Sequence, residues 1–148
     1  MKKLSISDSN LQRLAHWATV IAGISVAVTL WWGFISFKRT NNAQADAMAV
    51  KLMQDYLRLR LEHPEFPIRA SSTPVDDKYI WFASHNLLIA ETIYKLNRGD
   101  RGWEDTALGI VKDHQPFVYH AEFPCSEYDP QFRAFIQERI DKNICAKK

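Results

Sequence analysis

The stretch that decides the architecture runs from Leu14 to Phe37. It reads LAHWATVIAGISVAVTLWWGFISF, 24 residues without a formally charged side chain at neutral pH. At about 1.5 Å per residue, a helix of this length exceeds the roughly 30 Å thickness of a bilayer's hydrocarbon core. Trp17, Trp31 and Trp32 lie towards its two ends, where amphipathic rings prefer the level of the headgroups. The stretch therefore predicts one membrane-spanning helix over residues 14–37.

Two other interpretations of this stretch are weaker. A buried helix needs protein on every side, and a chain of 148 residues is too short to surround it. A cleaved signal peptide is suggested by Lys2-Lys3 and by Ala43-Gln44-Ala45. However, the apolar run is longer than the roughly 7–15 residues of a signal h-region. We therefore expect an uncleaved anchor, preceded by a tail at residues 1–13.

Small side chains recur every four residues within this span. The row consists of Ala15, Thr19, Gly23 and Ala27. Small residues let membrane helices approach closely, which is how such helices gain packing energy in lipid. The row predicts packing between copies of the span, so a homo-oligomer is expected.

The charges on the two sides of the span are nearly balanced. Three basic residues precede the span, and the first three after it are Lys38, Arg39 and Lys51. Arg58 and Arg60 add to the second group, at the edge of the range in which the positive-inside rule operates. This count favours a single-pass protein of the inner membrane whose C-terminal part is cytoplasmic.

The helix is expected to continue beyond the membrane. No Pro or Gly occurs between Phe34 and His63, which predicts a juxtamembrane helix over residues 38–63 that connects the span stiffly to the soluble part of the chain. Three- and four-residue spacing gives this helix one apolar stripe, made of Ala45, Ala49, Leu52, Tyr56 and Leu59. The stripe is either a small coiled-coil seam or a surface covered by the following domain, and the second interpretation is favoured.

Residues 64–148 predict a small soluble domain, and the fold class is all-α because no alternating strand pattern occurs. At this size a domain is marginally stable alone, so support is expected from the juxtamembrane helix or from other copies. The predicted elements are a helix from Pro74 to about Asn97 with Thr73 as its N-cap, a helix from Gly102 to His114, a turn over Phe117–Glu122, and a helix from Pro130 to about Ile144 after an Asp129 cap.

Motifs of nucleotide-binding and hydrolytic enzymes are missing: the chain contains no GxxxxGK[ST], GxGxxG, HExxH or GxSxG. The nearest approach to a metal cluster is His114, His120 and Cys125, whose spacing matches no standard zinc site. We interpret Cys125 as a packed thiol, since two cysteines are too few for a disulfide scaffold. His85, in the middle of a predicted helix, is interpreted as a core or interface histidine. No catalytic residue, metal or cofactor is expected.

The segment from Asn97 to Trp103, NRGDRGW, is the least ordinary part of the soluble domain. Its guanidinium groups can bind phosphate oxygens and its indole can stack on a base. The candidate ligand-binding residues are Lys95, Arg98, Arg101 and Trp103, with Arg58 and Arg60 as a second basic spot. The alternative is a helix-ending glycine followed by a solvated loop, with Trp103 as a core anchor. A net charge of +2 gives no reason to expect a DNA or RNA polymer as partner.

This order of elements resembles the small transmembrane effectors of type III CRISPR anti-phage defence. The resemblance covers the architecture of the whole chain and rests on no motif, so no residue role is carried over from it. It implies that an oligomer binds a cyclic oligoadenylate through its cytoplasmic domain and then perturbs the membrane. The alternative function is a non-catalytic accessory or anchoring subunit that recruits another protein to the membrane.

We predict that the full chain fractionates with membranes, through contact of residues 14–37 with lipid, and resists extraction by alkaline carbonate. The reason is the length of the uncharged run, which exceeds that of a signal h-region. The measurement is fractionation followed by N-terminal sequencing of the recovered protein. A soluble product that begins near Asp46 would contradict the prediction.

Overall fold

A computed structural model describes the backbone of residues 8–66 and 75–145, and the side chains of residues 16–66 and 75–145. This part of the chain contains helices and no strand, which confirms the all-α class. The helices are α1 (Asp8–Glu62), α2 (Asp77–Leu96), α3 (Arg101–Asp113), α4 (Gln115–Val118) and α5 (Pro130–Arg139), with one turn of 3-10 helix at Cys125–Glu127. The chain forms two compact units, Met1–Asn42 and Ala43–Lys148.

The N-terminal unit contains the apolar part of α1. By length and composition, α1 is able to cross a membrane: its most apolar eighteen-residue window has a mean hydropathy of 1.9, and none of that window is buried. Trp31 and Trp32 are 69% and 71% exposed. Soluble proteins rarely leave so continuous an apolar surface uncovered, so lipid is the environment that fits this stretch. Ala15, the first residue of the predicted packing row, lies outside the described side chains.

Hydroxyl groups in the N-terminal unit find hydrogen-bond partners within the helix itself. Ser25 Oγ donates to the carbonyl oxygen of Ile21 at 2.9 Å, and Thr29 Oγ1 donates to that of Ser25 at 2.8 Å. The bilayer interior offers no water to a lone hydroxyl, so bonding to the preceding turn is what a lipid-facing Ser or Thr requires. The local geometry of these side chains is therefore compatible with a membrane span.

The C-terminal part of α1 packs against the helical unit that comes after it. Ala49 and Tyr56 are buried, and Leu52 and Leu59 pack against the same core. This confirms that the apolar stripe on this part of the helix is covered by the following domain. The last residues of α1 thus belong to the core of the C-terminal unit.

Aromatic rings fill much of that core and connect its helices. The Tyr94 ring of α2 stacks on the Phe135 ring of α5 with centroids 4.6 Å apart. Phe117 of α4 meets Phe123 edge-on at 5.5 Å. Such pairs contribute about 0.5–1.5 kcal/mol each beyond the burial of their area. The high content of Phe and Tyr in the sequence is explained by this core.

The start of α2 differs from the prediction. Thr73 and Pro74 lie outside the described residues, and α2 begins later, at Asp77. Asp76 is its N-cap: its carboxylate accepts the backbone N–H of Tyr79 at 2.8 Å. A carboxylate at this position satisfies an otherwise unpaired helical N–H group. The remaining start sites lie close to prediction, with α3 beginning at Arg101 and α5 following an Asp129 cap.

The helix α3 ends at Asp113, close to the predicted end at His114, and Pro116 follows it. It stands in the first turn of the short helix α4, where a missing N–H group costs nothing. This helix and the turn after it occupy the segment for which a turn over residues 117–122 was predicted.

The predicted end of the last helix, near Ile144, is wrong. The helix α5 ends at Arg139, and the chain turns so that Gln137 Nε2 donates to the carbonyl oxygen of Ile144 at 2.7 Å. This turn brings Cys145 next to Cys125, and the two form a disulfide with Cα atoms 5.7 Å apart. The interpretation of Cys125 as a free packed thiol is therefore wrong. Closing a loop of this length stabilises a protein by about 3 kcal/mol in the chain-entropy model.

Candidate functional site

The NRGDRGW loop between α2 and α3 is held in place by its own backbone and carboxylates. Gly99 has a φ of +88°, in the left-handed region that L side chains rarely adopt. Asp100 caps α3 by accepting the backbone N–H groups of Gly102 at 2.9 Å and Trp103 at 3.2 Å. Glu104 Oε1 accepts the N–H of Gly99 at 3.0 Å. These contacts explain the glycine and the acidic residues of the segment by helix capping alone.

The basic side chains of the loop remain outside that capping network. Lys95, Arg98 and Arg101 are exposed, and none forms an ion pair within the described part of the chain. The Arg98 guanidinium lies over the Tyr94 ring, 5.7 Å from its centroid. The pKa of Asp129 is lowered, mainly by the hydrogen bond from Gln131 N and less by the charges of Lys95 and Arg98. Lys95 and Arg98 therefore lie on the same side of the unit as Asp129, which precedes α5.

An open cavity of about 340 Å³ adjoins this loop. Its wall carries two guanidinium groups and two carboxylates, those of Arg98, Arg139, Glu104 and Glu138. The balance of charge weakens the attraction of the cavity for an anion, so a phosphate would have to be bound at its Arg98 side. Tyr94 and Phe135 also line the cavity, but both rings are buried and stacked on each other, so they add apolar edges to its wall.

Trp103 does not stand free for stacking on a ligand. Its side chain is half-buried, and its indole Nε1–H donates to Asp46 Oδ1 at 3.1 Å. The contact ties α3 to the C-terminal part of α1. The structure therefore supports the core-anchor interpretation of this residue.

The second predicted basic spot is engaged within the protein. Arg58 Nε is 2.8 Å from Glu62 Oε1, one turn further along α1. Arg60 Nη1 donates to the Tyr56 hydroxyl at 3.3 Å and lies 3.6 Å from Asp113 Oδ2. The structure thus gives both arginines carboxylate partners within the protein, and their role in ligand binding stays a prediction.

The Tyr56 hydroxyl is the centre of this internal network. It donates to Asp113 Oδ2 at 2.9 Å and accepts from Arg60, which links α1 to α3. Burial raises the pKa of Tyr56, and the negative charge of Asp113 raises it further. The phenol is therefore neutral at physiological pH and acts as a fixed donor.

Sequence reasoning missed a polar pair in the core. Asn86 on α2 is fully buried, and its Nδ2 lies 3.0 Å from Nε2 of His114, which is 5% exposed. Among the described residues, Asn86 Oδ1 and His114 Nδ1 have no hydrogen-bond partner. Burial lowers the pKa of His114 to about 4, so the ring is neutral and Nε2 accepts from the amide. An Asn one helical turn after Phe82, on the apolar side of α2, is the sequence signal for this pair.

The two histidines singled out in the sequence lie in different surroundings. His85 is exposed and stacks on Trp81 with ring centroids 5.8 Å apart, so the core alternative is wrong and the interface alternative stays a prediction. His114 is buried in its pair, and Cys125 is in the disulfide. The described residues contain no group of side chains able to hold a metal ion.

The chain matches no family model, no curated protein and no solved structure.

We predict that the protein loses stability as the pH falls from 6.5 to 4, because of His114. Its pKa is about 4 in the folded state and near 6.5 when unfolded, so only the unfolded chain binds the proton in this range. The contribution of His114 is fully present above pH 6.5 and falls by roughly 3 kcal/mol on reaching pH 4. Denaturant unfolding in detergent, followed by near-UV circular dichroism, measures it.

His114→Gln removes the titrating group, so the slope of stability with pH should flatten over this interval. His85→Gln is the matched control, since His85 is exposed and on the surface of α2. Equal slopes for wild type and His114→Gln would show that other groups carry the acid sensitivity.

Proposed function

We propose that this protein is a single-pass, membrane-anchored, oligomeric sensor-effector. Its helical C-terminal unit binds a phosphate-bearing ligand, and binding changes how the copies associate and so perturbs the membrane. The ligand class implied by the resemblance is a cyclic oligonucleotide, bound on the cytoplasmic face of the inner membrane.

The membrane anchor is the best-supported part of this proposal. The N-terminal unit leaves its whole apolar window exposed, and the hydroxyls within it bond back to the helix. Burying apolar surface contributes about 25 cal/mol per Å², so leaving this stretch in water would be very unfavourable. Small residues of the span such as Gly23 and Gly33 support self-association, since an added Cβ at either has open space around it in its own chain and a neighbouring helix could approach closely.

Arg98 is the observation that carries ligand binding. Folding uses the glycine, the aspartate, the glutamate and the indole of the loop, but leaves the guanidinium groups of Arg98 and Arg101 exposed. Arg98 is held over the Tyr94 ring beside an open cavity, so its fork is partly pre-oriented. A guanidinium fork binds phosphate oxygens through two parallel hydrogen bonds.

We predict that Arg98→Ala and Arg101→Ala each weaken ligand binding by roughly ten- to a hundred-fold, since a charge-assisted hydrogen bond contributes about 1.5–3 kcal/mol. The measurement is calorimetry of the full chain in detergent against cyclic oligoadenylates and cyclic dinucleotides. Arg58→Ala is the matched control, because Arg58 is exposed but paired with Glu62. Unchanged affinity in both loop variants would place the site elsewhere.

A second function, a non-catalytic accessory subunit, is favoured by two observations. Trp81 and Leu88 are exposed on α2 and flank His85, giving a face that a partner protein would cover. The disulfide between Cys125 and Cys145 is the other, since disulfides persist in oxidising compartments. This candidate places the helical unit outside the cytoplasm and predicts no heat with any nucleotide.

The state of the two cysteines in cells separates the candidates. On the sensor proposal the helical unit is cytoplasmic, where the glutathione and thioredoxin pools keep thiols reduced, so the disulfide present in the structure would not persist in cells. We predict, on the sensor proposal, that both thiols react with maleimide when cells are lysed directly into denaturant and alkylating agent. The readout is a shift in gel mobility, with a pre-reduced sample as control. Thiols that react only after reduction would favour the accessory subunit.

A further inference from the structure

The C-terminal part of α1 has two apolar faces, and the unit covers only one of them. The covered face contains Ala49 and Tyr56. The opposite face is exposed throughout, with Val50 at 47%, Leu57 at 45% and Leu61 at 83%. On a surface helix the face away from the core is ordinarily polar. An exposed aliphatic face opposite a buried one indicates a second contact surface.

The spacing on the exposed face alternates between four and three residues. Its members are Ala43, Ala47, Val50, Gln54, Leu57 and Leu61, and all of them are exposed. This is the heptad pattern of a coiled coil, in which a and d positions recur every 3.5 residues on average. Ala47, Gln54 and Leu61 take a positions, and Val50 and Leu57 take d positions. A single polar a residue such as Gln54 is a device that fixes register between helices.

The residues beside this seam favour a parallel pair. In a parallel coiled coil, a g position lies near the e position of the following heptad on the partner. Asp46 is at g and Lys51 is at e, so two copies would bring opposite charges together. An antiparallel pair would instead face the basic e positions, Lys51 and Arg58, towards one another. Asp46 Oδ1 already accepts a hydrogen bond from the indole N–H of Trp103, but a carboxylate can accept further hydrogen bonds.

The same register, counted back through the sequence of the N-terminal unit, meets small residues at every position except Val26. Its positions there are Ala15, Thr19, Ala22, Val26, Thr29, Gly33, Ser36 and Thr40. Small side chains are what a close contact between membrane helices requires, whereas Val and Leu suit a contact in water. The type of residue at the seam therefore changes in the way that the two environments demand.

The area that such a seam would bury determines how long a contact a stable pair requires. A strip about 10 Å wide along residues 43–61 buries roughly 600 Å² in a pair, below the roughly 1,000 Å² of a specific interface. Adding the strip along residues 15–40 brings the total to roughly 1,300 Å², within the standard range. The exposed aliphatic face alone is too small for a stable pair, and the membrane part supplies the remainder.

We propose that a second copy of this chain docks in parallel on the face defined by Val50, Gln54, Leu57 and Leu61. The inference rests on the proposed function only in that both copies are anchored in one membrane. Anchoring also fixes their common direction and raises their effective concentration. The oligomer would thus form through this face of α1, which lies opposite the face that packs on the core of the C-terminal unit.

The first test compares Leu57→Lys with Met48→Lys in the full chain, in detergent. Leu57 and Met48 are both about half exposed, but Met48 lies off the seam. Sedimentation equilibrium over a concentration series should show self-association weakened at least tenfold for Leu57→Lys and within twofold of wild type for Met48→Lys. Neither side chain is in the core, so circular dichroism should show equal helix content. Equal association of the two variants, or a monomeric wild type, would overturn the seam.

The second test uses glycines of the N-terminal unit. Gly33 lies at an a position of the heptad register, whereas Gly23 lies only in the four-residue row. Gly33→Ile therefore alters the proposed seam, and Gly23→Ile alters the row. A Cβ at either glycine has no neighbour within 4 Å in its own chain, so both variants should fold. The seam predicts stronger dissociation for Gly33→Ile than for Gly23→Ile. The reverse order would assign the contact to the row with Ala27.

Cross-linking tests the direction of the pair. In a background of Cys125→Ser and Cys145→Ser, Leu57→Cys should form a disulfide-linked dimer in oxidised membranes, because a d residue meets its own counterpart only in a parallel pair. Met48→Cys should give at least tenfold less. Absence of the Leu57→Cys dimer would overturn the parallel arrangement. The same preparations report membrane fractionation and nucleotide binding. If the seam fails while the wild type still self-associates and binds a nucleotide, the proposed function stands. If nucleotide binding fails while the seam variants behave as expected, the seam stands.

Discussion

The constraint on which the rest of the structure depends is that α1 carries more apolar side-chain surface than the chain itself covers. In the N-terminal unit that surface is continuous around the helix and none of its most apolar window is buried. In the C-terminal unit it is divided between a covered stripe with Tyr56 and an exposed one with Leu57. Burial of a Leu side chain contributes about 1.5–3 kcal/mol, so each uncovered stripe is a sizeable driving force for association. On our proposals, lipid would cover the first of these surfaces and a second copy of the chain the other.

The polar groups of the C-terminal unit have a different role from its apolar surface. Tyr56, Arg60 and Asp113 join α1 to α3: the Tyr56 hydroxyl bonds to both other side chains, and these two form an ion pair at 3.6 Å. Removing one member of such a network leaves a desolvated group unpaired, which costs more than the bond itself contributed. The Asn86–His114 pair is less complete and stays neutral because the imidazole is buried. The core is therefore specified by polar contacts while it is stabilised by aromatic and aliphatic packing.

Local patterns in the sequence predicted those features that depend on neighbours along the chain. Three- and four-residue spacing identified the stripe on α1, and an aspartate before a proline identified the cap of α5. The predicted end of α5 was wrong because the spacing of apolar residues in the sequence does not reveal that the chain turns after Arg139 and brings Cys145 to Cys125. Arg60 and Trp103 were assigned to a ligand because their partners, Asp113 and Asp46, lie 53 and 57 residues away in the sequence. Contacts at such separation are set by the fold, not by the local sequence.

On the proposed function, ligand binding depends on side chains of the NRGDRGW loop that the capping contacts leave unused. In the NRGDRGW loop, capping accounts for Gly99, Asp100 and Glu104, which leaves the two arginine side chains. Their attraction for an anion is electrostatic and weakens with salt, since the Debye length at physiological ionic strength is about 8 Å. The exposed leucines of α1 act through apolar burial, which salts such as sulfate strengthen. A sensor built from both would pair a salt-sensitive ligand contact with a salt-resistant contact between copies, so the two can be weakened separately in one protein.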